Sequence, residues 1–213
     1  MQVRSAMKLW FVVLWATLAL IQAQPPRGAL PISGVVVLDA SAMKLQQSRE
    51  VLRQFLGTAS PGDEFALVQA GPHPVLMSGF TSHFDEIPAL TGGSVRPQGT
   101  SALLDAVYLA MNQMRKAHNP QKALLVISDG GVNSSRYTEL EIKNALRDDD
   151  VRVYAIGIYE PLASLRAPEL NAGPQLLRGM AEASGGRYFV AEHIDALHDA
   201  AAQVSLAMHG VPR

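Results

Sequence analysis

From residue 32 onward, short apolar runs alternate with stretches in which apolar positions recur every three or four residues. Val35-Val36-Val37-Leu38 is continuous and largely β-branched, the pattern of a strand buried on both faces. Residues 45–56 follow, with Val51, Leu52, Phe55 and Leu56 spaced to share one helix face. Ser60-Pro61-Gly62-Asp63 reads as a turn and Phe65-Ala66-Leu67-Val68 as a second strand. Val75-Leu76-Met77 is a third strand, folding back on the second across Gly71-Pro72. Residues 84–90 form a short helix stopped by Gly92-Gly93. A longer helix opens at Gly99-Thr100-Ser101, and Leu103, Leu104, Val107, Tyr108, Met111 and Met114 are its apolar stripe.

The second half repeats the alternation. Ala123-Leu124-Leu125-Val126-Ile127 is the most hydrophobic run, and it ends in Ser128-Asp129-Gly130-Gly131. Residues 138–146 predict a helix, with Glu141 placed three after Thr138 for a capping box. Residues 151–157 predict a strand, 161–174 an irregular loop, and 175–184 a helix that Gly185-Gly186 ends in a left-handed cap. A strand over 187–190 and a helix over 194–208 complete the series. Strands separated by helices demand right-handed crossovers. The expected fold is therefore α/β and doubly wound: a mostly parallel, Rossmann-like sheet with helices on both faces and one antiparallel edge strand.

The chain's 213 residues suit one domain, and 48% apolar with 17% charged residues suits a packed core. The formal net charge of −1 leaves no basic excess to neutralise phosphates, so no nucleic-acid partner is expected. With no cysteine, disulfides, thiolate metal sites and cysteine nucleophiles are excluded. Arg4 and Lys8 precede a thirteen-residue apolar run, residues 9–21, followed by Gln22-Ala23-Gln24-Pro25-Pro26. A positive flank, a short apolar stretch and a small residue before helix-breaking prolines read as a secretory signal peptide cleaved after Ala23. Met7 is an alternative start. Spanning a bilayer takes about 20 apolar residues, so the run is short for a membrane anchor unless cleavage fails. The expected division is a signal peptide at 1–23, a linker at 24–31, the domain at 32–209 and a tail at 210–213, in an exported protein that touches membrane only through its leader.

Three polar clusters stand at strand ends or helix starts: Asp39-Ala40-Ser41-Ala42-Met43, Gly99-Thr100-Ser101 and Ser128-Asp129-Gly130. In a doubly wound sheet, ligands bind at the carboxyl ends of the strands. Two carboxylates and two hydroxyls would meet there, and oxygen-only ligands suit a hard divalent cation such as Mg²⁺. Each cluster also has a plainer role: Asp39 and Ser41 as helix caps, and Asp129 before Gly130 as a turn residue.

These residues resemble the metal-ion-dependent adhesion site of von Willebrand factor A (VWA) domains, built from Asp-x-Ser-x-Ser, a distant Thr and a distant Asp. Asp39 and Ser41 match the first motif, Thr100 the threonine and Asp129 the second aspartate. Residues 61–68 and 181–189 add to the likeness, which covers about 32–208 and is strongest to bacterial exported proteins related to this family. The resemblance implies an interaction module rather than an enzyme. Ser41 and Thr100 would touch Mg²⁺ or Mn²⁺, Asp39 and Asp129 would act directly or through water, and a partner protein's carboxylate would complete the coordination. Met43 stands where the second serine is expected, and a soft thioether does not replace a hydroxyl on Mg²⁺, so weak binding is expected. The segment before the helix also lacks the family's Gly-rich turn.

Other residues carry less. His73, His83, His118, His193, His198 and His209 show no ligand spacing and are expected at the surface. Asp148-Asp149-Asp150 reads as a solvated turn, Asn133-Ser134-Ser135 as a sequon that shapes the loop beside Asp129, and Met111 and Met114 as core. A hydrolase or phosphotransferase of another doubly wound fold is the alternative, although Gly-x-Ser-x-Gly, Walker and dinucleotide motifs are all missing. A third reading is a truncated copy that keeps the fold without the metal, since related exported proteins usually carry a β-rich segment before this domain and more chain after it.

Overall fold

The computed structural model describes residues 30–39, 45–91, 101–131, 134–159, 172–191 and 194–210. The expected leader, most of the linker and the 161–171 part of the expected loop lie outside them. In chain order the described elements are β1 (Ile32–Asp39), α1 (Leu45–Gly57), β2 (Glu64–Ala70), β3 (Val75–Thr81), α2 (Ile87–Leu90) and α3 (Leu103–Met114). There follow β4 (Gln121–Ser128), α4 (Glu139–Asp148), β5 (Arg152–Ile158), α5 (Ala172–Ala183), β6 (Arg187–Ala191) and α6 (Ile194–His209).

The strands form one sheet in the order β3-β2-β1-β4-β5-β6. All neighbours are parallel except β2 and β3, whose antiparallel ladder contains register shifts. The chain winds outward from β1 through β2 to β3, then crosses back to β4 on the other side of β1. That reversal between β1 and β4 is the switch point where doubly wound sheets open a crevice.

Alternate side chains of each strand feed two cores. Val36, Leu38, Leu67, Leu125, Ile127 and Ile156 pack beneath α1, α2 and α6. Val35, Val37, Val68, Leu124, Val126 and Val153 pack beneath α3, α4 and α5. Both faces are covered, so the strands are continuous apolar runs rather than alternating ones, as expected for buried parallel strands.

Local chemistry sets the ends of the elements. Thr138 accepts from the Glu141 N–H and Glu141 reaches back to the Thr138 N–H, so the expected capping box is formed. Gly185 ends α5 at φ +72°. Helix α5 begins at Ala172, three residues before the expected start, because Pro174 sits in its first turn, where a missing N–H costs nothing. The expected 84–90 helix contracts to Ile87–Leu90.

Candidate functional site

The site's scaffold is the carboxyl ends of β1, β4 and β5. Leu38 pairs with Ile127, which brings the next residues, Asp39 and Ser128, side by side. Ser128 in turn pairs with Gly157. Period-two alternation places Asp39, Ser128 and Gly157 on the face covered by α3, α4 and α5, in line with Val37, Val126 and Ala155. Asp39 is 3% exposed, and its Oδ2 accepts from the Ser128 hydroxyl at 2.6 Å. A buried carboxylate needs such donors, since an unpaired charge there is expensive. Ser128 Oγ also accepts from the Gly130 N–H at 2.9 Å, tying the turn after β4 to Asp39.

Asp129 follows on that turn and is half-buried. Its Oδ1 accepts from the Gly131 N–H at 2.7 Å, which fixes the carboxylate against its own loop. Gly130 carries the turn at φ +65°, and the Gly173 end of α5 lies directly against it. Asp39 and Asp129 therefore share one edge, as the sequence leads one to expect. Ser41, Thr100 and Met43 lie outside the described residues.

Ser101, next to Thr100, is described. The Ala102 N–H donates to the Gly71 carbonyl at 2.8 Å, just past the end of β2, and the Ser134 N–H donates to the Ser101 carbonyl at 3.0 Å. These bonds pin the start of α3 between β2 and the loop that follows Asp129. Ser101 is buried, yet among the described residues its Oγ has no hydrogen-bond partner. Buried hydroxyls are normally satisfied, by water or an ion when not by protein. Ser135 Oγ accepts from the Leu104 and Asp105 N–H groups, so the sequon region braces α3 beside the site. Among the described residues, Asp39, Ser101, Ser128 and Asp129 offer oxygens along this edge, a set that fits a hard divalent cation and not a soft one. Among the described residues no three His, Cys, Asp or Glu side chains form a metal-binding group.

Two tyrosines continue the edge, and the sequence reading did not single them out. The Tyr188 hydroxyl donates to Tyr159 Oη at 3.0 Å, and the guanidinium of Arg178, on α5, lies 5.4 Å from the Tyr188 ring centre. Burial holds the Tyr159 hydroxyl well above the usual phenol range. The negative charge of Asp129 adds to that rise and Arg178 opposes it. Both signs of charge thus act on this pair.

With fold and edge in place, the comparisons agree on the class. Residues 35–203 match the model of the von Willebrand factor type A domain, and the chain belongs to that family. No curated protein matches it in sequence. Among solved structures it is similar to an aerotolerance-related membrane protein from Bacteroides fragilis, with 14% identity, a TM-score of 0.68, and 84% of this chain and 100% of that chain covered. It is similar to BatB from Bacteroides thetaiotaomicron at 15% identity and a TM-score of 0.64, covering 84% and 98% of the two chains. It also resembles proximal thread matrix protein 1 of the mussel byssus, solved with a zinc-occupied metal-ion-dependent adhesion site, at 19% identity and a TM-score of 0.66, covering 84% of this chain and 46% of that one. At these identities the likeness is one of fold.

Proposed function

We propose that the protein is an exported protein-interaction module that binds a partner's carboxylate through a weakened, Mg²⁺-type adhesion site, and not an enzyme. The observation that carries this is the pairing of Asp39 with Ser128 beside Asp129, at the switch point of the sheet. In this reading Ser41 and Thr100 join Asp39 and Asp129 as the residues that hold Mg²⁺ or Mn²⁺. The bound cation supplies an open coordination position for an acidic side chain. Residues 1–23 act as the export signal, 24–31 as a linker, 32–209 as the domain and 210–213 as a tail. Among the described residues no helix is long and apolar enough to cross a membrane. If the signal is retained, it is the anchor.

The test is thermal unfolding of the full-length chain with Mg²⁺, with Mn²⁺ and with chelator, beside Asp129→Ala and Met43→Ser variants. A ligand that binds only the native state stabilises it by about 2.7 kcal/mol at a hundredfold excess over Kd. The expected result is a metal-dependent rise at millimolar metal that Asp129→Ala abolishes. Met43→Ser moves the half-saturating metal concentration down by about 10–100-fold, the scale on which metal-site partners act. If no variant responds to metal, the edge is a metal-independent contact surface.

A further inference from the structure

Tyr159, Tyr188 and Arg178 form a strip beside the end of β5. A Cβ on Gly157 would stand 2.5 Å from Tyr159 Cε2, 2.6 Å from Tyr159 Oη and 2.7 Å from Tyr188 Oη. Both phenols thus lie close over the α-carbon of Gly157, where a larger residue would push them aside. Gly157 is the register partner of Ser128, whose hydroxyl holds Asp39. A strand interior gains nothing in stability from glycine, so the position serves what sits on it.

Arg178 is exposed and lies over the Tyr188 ring. Among the described residues it has no carboxylate partner, unlike Arg53 and Lys143, which pair with Glu50 and Glu139. A guanidinium over an aromatic face is attracted by the ring, and its N–H fork matches the two oxygens of a carboxylate. The start of α5 abuts the Asp129 turn at Gly173, and Arg178 lies five residues further along the helix. At ~1.5 Å and about 100° per residue, the two positions are about 7.5 Å apart along the axis and about 140° apart around it. Alternate residues of an extended peptide are separated by about 6.8 Å. With a chain net charge of −1 and a single guanidinium on the strip, the geometry suits one carboxylate and not a polyphosphate.

We propose that Arg178, seated on Tyr188, takes a second carboxylate of the partner, so that the domain reads an extended acidic segment with two acids one residue apart. This rests on the adhesion-site reading for the first acid. Tyr188, beneath the guanidinium, acts as a positioning residue for Arg178.

The test is fluorescence anisotropy of two labelled peptides with the full-length chain. One carries Asp-Gly-Glu between Gly-Ser flanks, and the other carries Asp-Gly-Gln in the same place. Each is titrated in Mg²⁺ and in chelator, against wild type, Arg178→Gln and Asp129→Ala, with matching thermal midpoints confirming that the variants fold. The expected result is that Arg178→Gln weakens the two-acid peptide about tenfold or more, the scale of a charge-assisted hydrogen bond, and leaves the Asp-Gly-Gln peptide unchanged. That dependence on the peptide's second acid is one a structural role for Arg178 does not produce. If binding needs metal and Asp129 but Arg178→Gln weakens both peptides equally or neither, the strip is not a reader of the second acid and the adhesion site stands. If Arg178 discriminates the peptides in chelator as well as in Mg²⁺, the strip stands and the metal reading falls. If neither peptide binds wild type, the proposal is overturned.

Discussion

At Gly130 the chain takes φ +65°, and an added Cβ would stand 2.4 Å from the carbonyl oxygen of Gly173. The reverse also holds, since a Cβ on Gly173 would stand 2.3 Å from the Asp129 carbonyl oxygen. The Asp129 turn and α5 therefore approach backbone to backbone, and neither yields as a flexible side chain would. Gly185 is a useful contrast, with φ +72° and nothing within 4 Å of the added atom. Gly185→Ala should cost only the left-handed conformation, about 1–2 kcal/mol. Gly130→Ala should cost that and the displacement of α5 as well, about 2–5 kcal/mol in all. Denaturant midpoints of the two variants measure the difference directly. Equal losses would mean that α5 is not packed on the turn. Asp39 and Asp129 were legible as site candidates because a carboxylate after a buried strand is conspicuous. Ser128 stood in the same cluster, but its bond to Asp39 was not legible, because it follows from the register of β1 on β4. A polar last residue on an otherwise apolar strand, facing the same way as Val126, was the available signal.

At the scale of elements, the opposite edge of the sheet holds a clip that the sequence reading missed. His209 was expected at the surface with the other histidines, but it is buried. Its Nε2 lies 3.0 Å from Asp63 Oδ2, with side-chain exposures of 2% and 0%. It lies four residues after the buried Ser205, at the margin of the α6 stripe formed by Leu197, Ala201, Val204 and Met208. Helical spacing alone was a signal that the lone histidine concealed. Asp63 also accepts from the Ile32 N–H at 2.9 Å and the Ser60 N–H at 2.7 Å, and His209 Nδ1 donates to the Ser205 carbonyl at 2.8 Å. The last turn of α6 is thus fastened to β1 and to the turn before β2. Burial opposes charge on both groups, but the hydrogen bonds and mutual attraction outweigh it, so the Asp63 carboxyl is lowered and the His209 imidazole raised. The imidazole's contribution is full below its unfolded value of about 6.5 and fades as pH rises through its higher folded value. The carboxyl's contribution is full above its unfolded value of about 3.9 and fades as pH falls through its lower folded value. The clip is strongest between these limits. His209→Gln should cost about 3–5 kcal/mol at pH 5.5, with the gap from wild type narrowing toward alkaline pH. Unfolding midpoints of both proteins across pH 5 to 9 give the gap, and a constant gap would mean that His209 is not charged in the fold.

For the molecule as a whole, the class of fold was legible because burial on both faces leaves strands as unbroken apolar runs, and 123–127 could be little else. Strand order was constrained by the handedness of crossovers, but the row that carries the site was not, since register emerges only when two helical layers pack on one sheet. Tyr159 shows this limit. It lies two residues past Gly157, and its importance appears only when β6 brings Tyr188 to the same glycine. The two cores share every strand, so neither layer has a sheet of its own to rest on. Leu124 and Leu125 are adjacent, 0% and 1% exposed, and face opposite layers. Truncating either to Ala removes a core side chain and leaves a cavity, at about 2–5 kcal/mol each. If the sheet couples the layers into one cooperative unit, each variant lowers a single transition, seen alike by far-ultraviolet circular dichroism and tyrosine fluorescence. Because the two cavities lie on opposite faces, the double variant should lose close to the sum of the single losses. A variant whose two probes separate would show that one helical layer melts from a sheet that the other still holds.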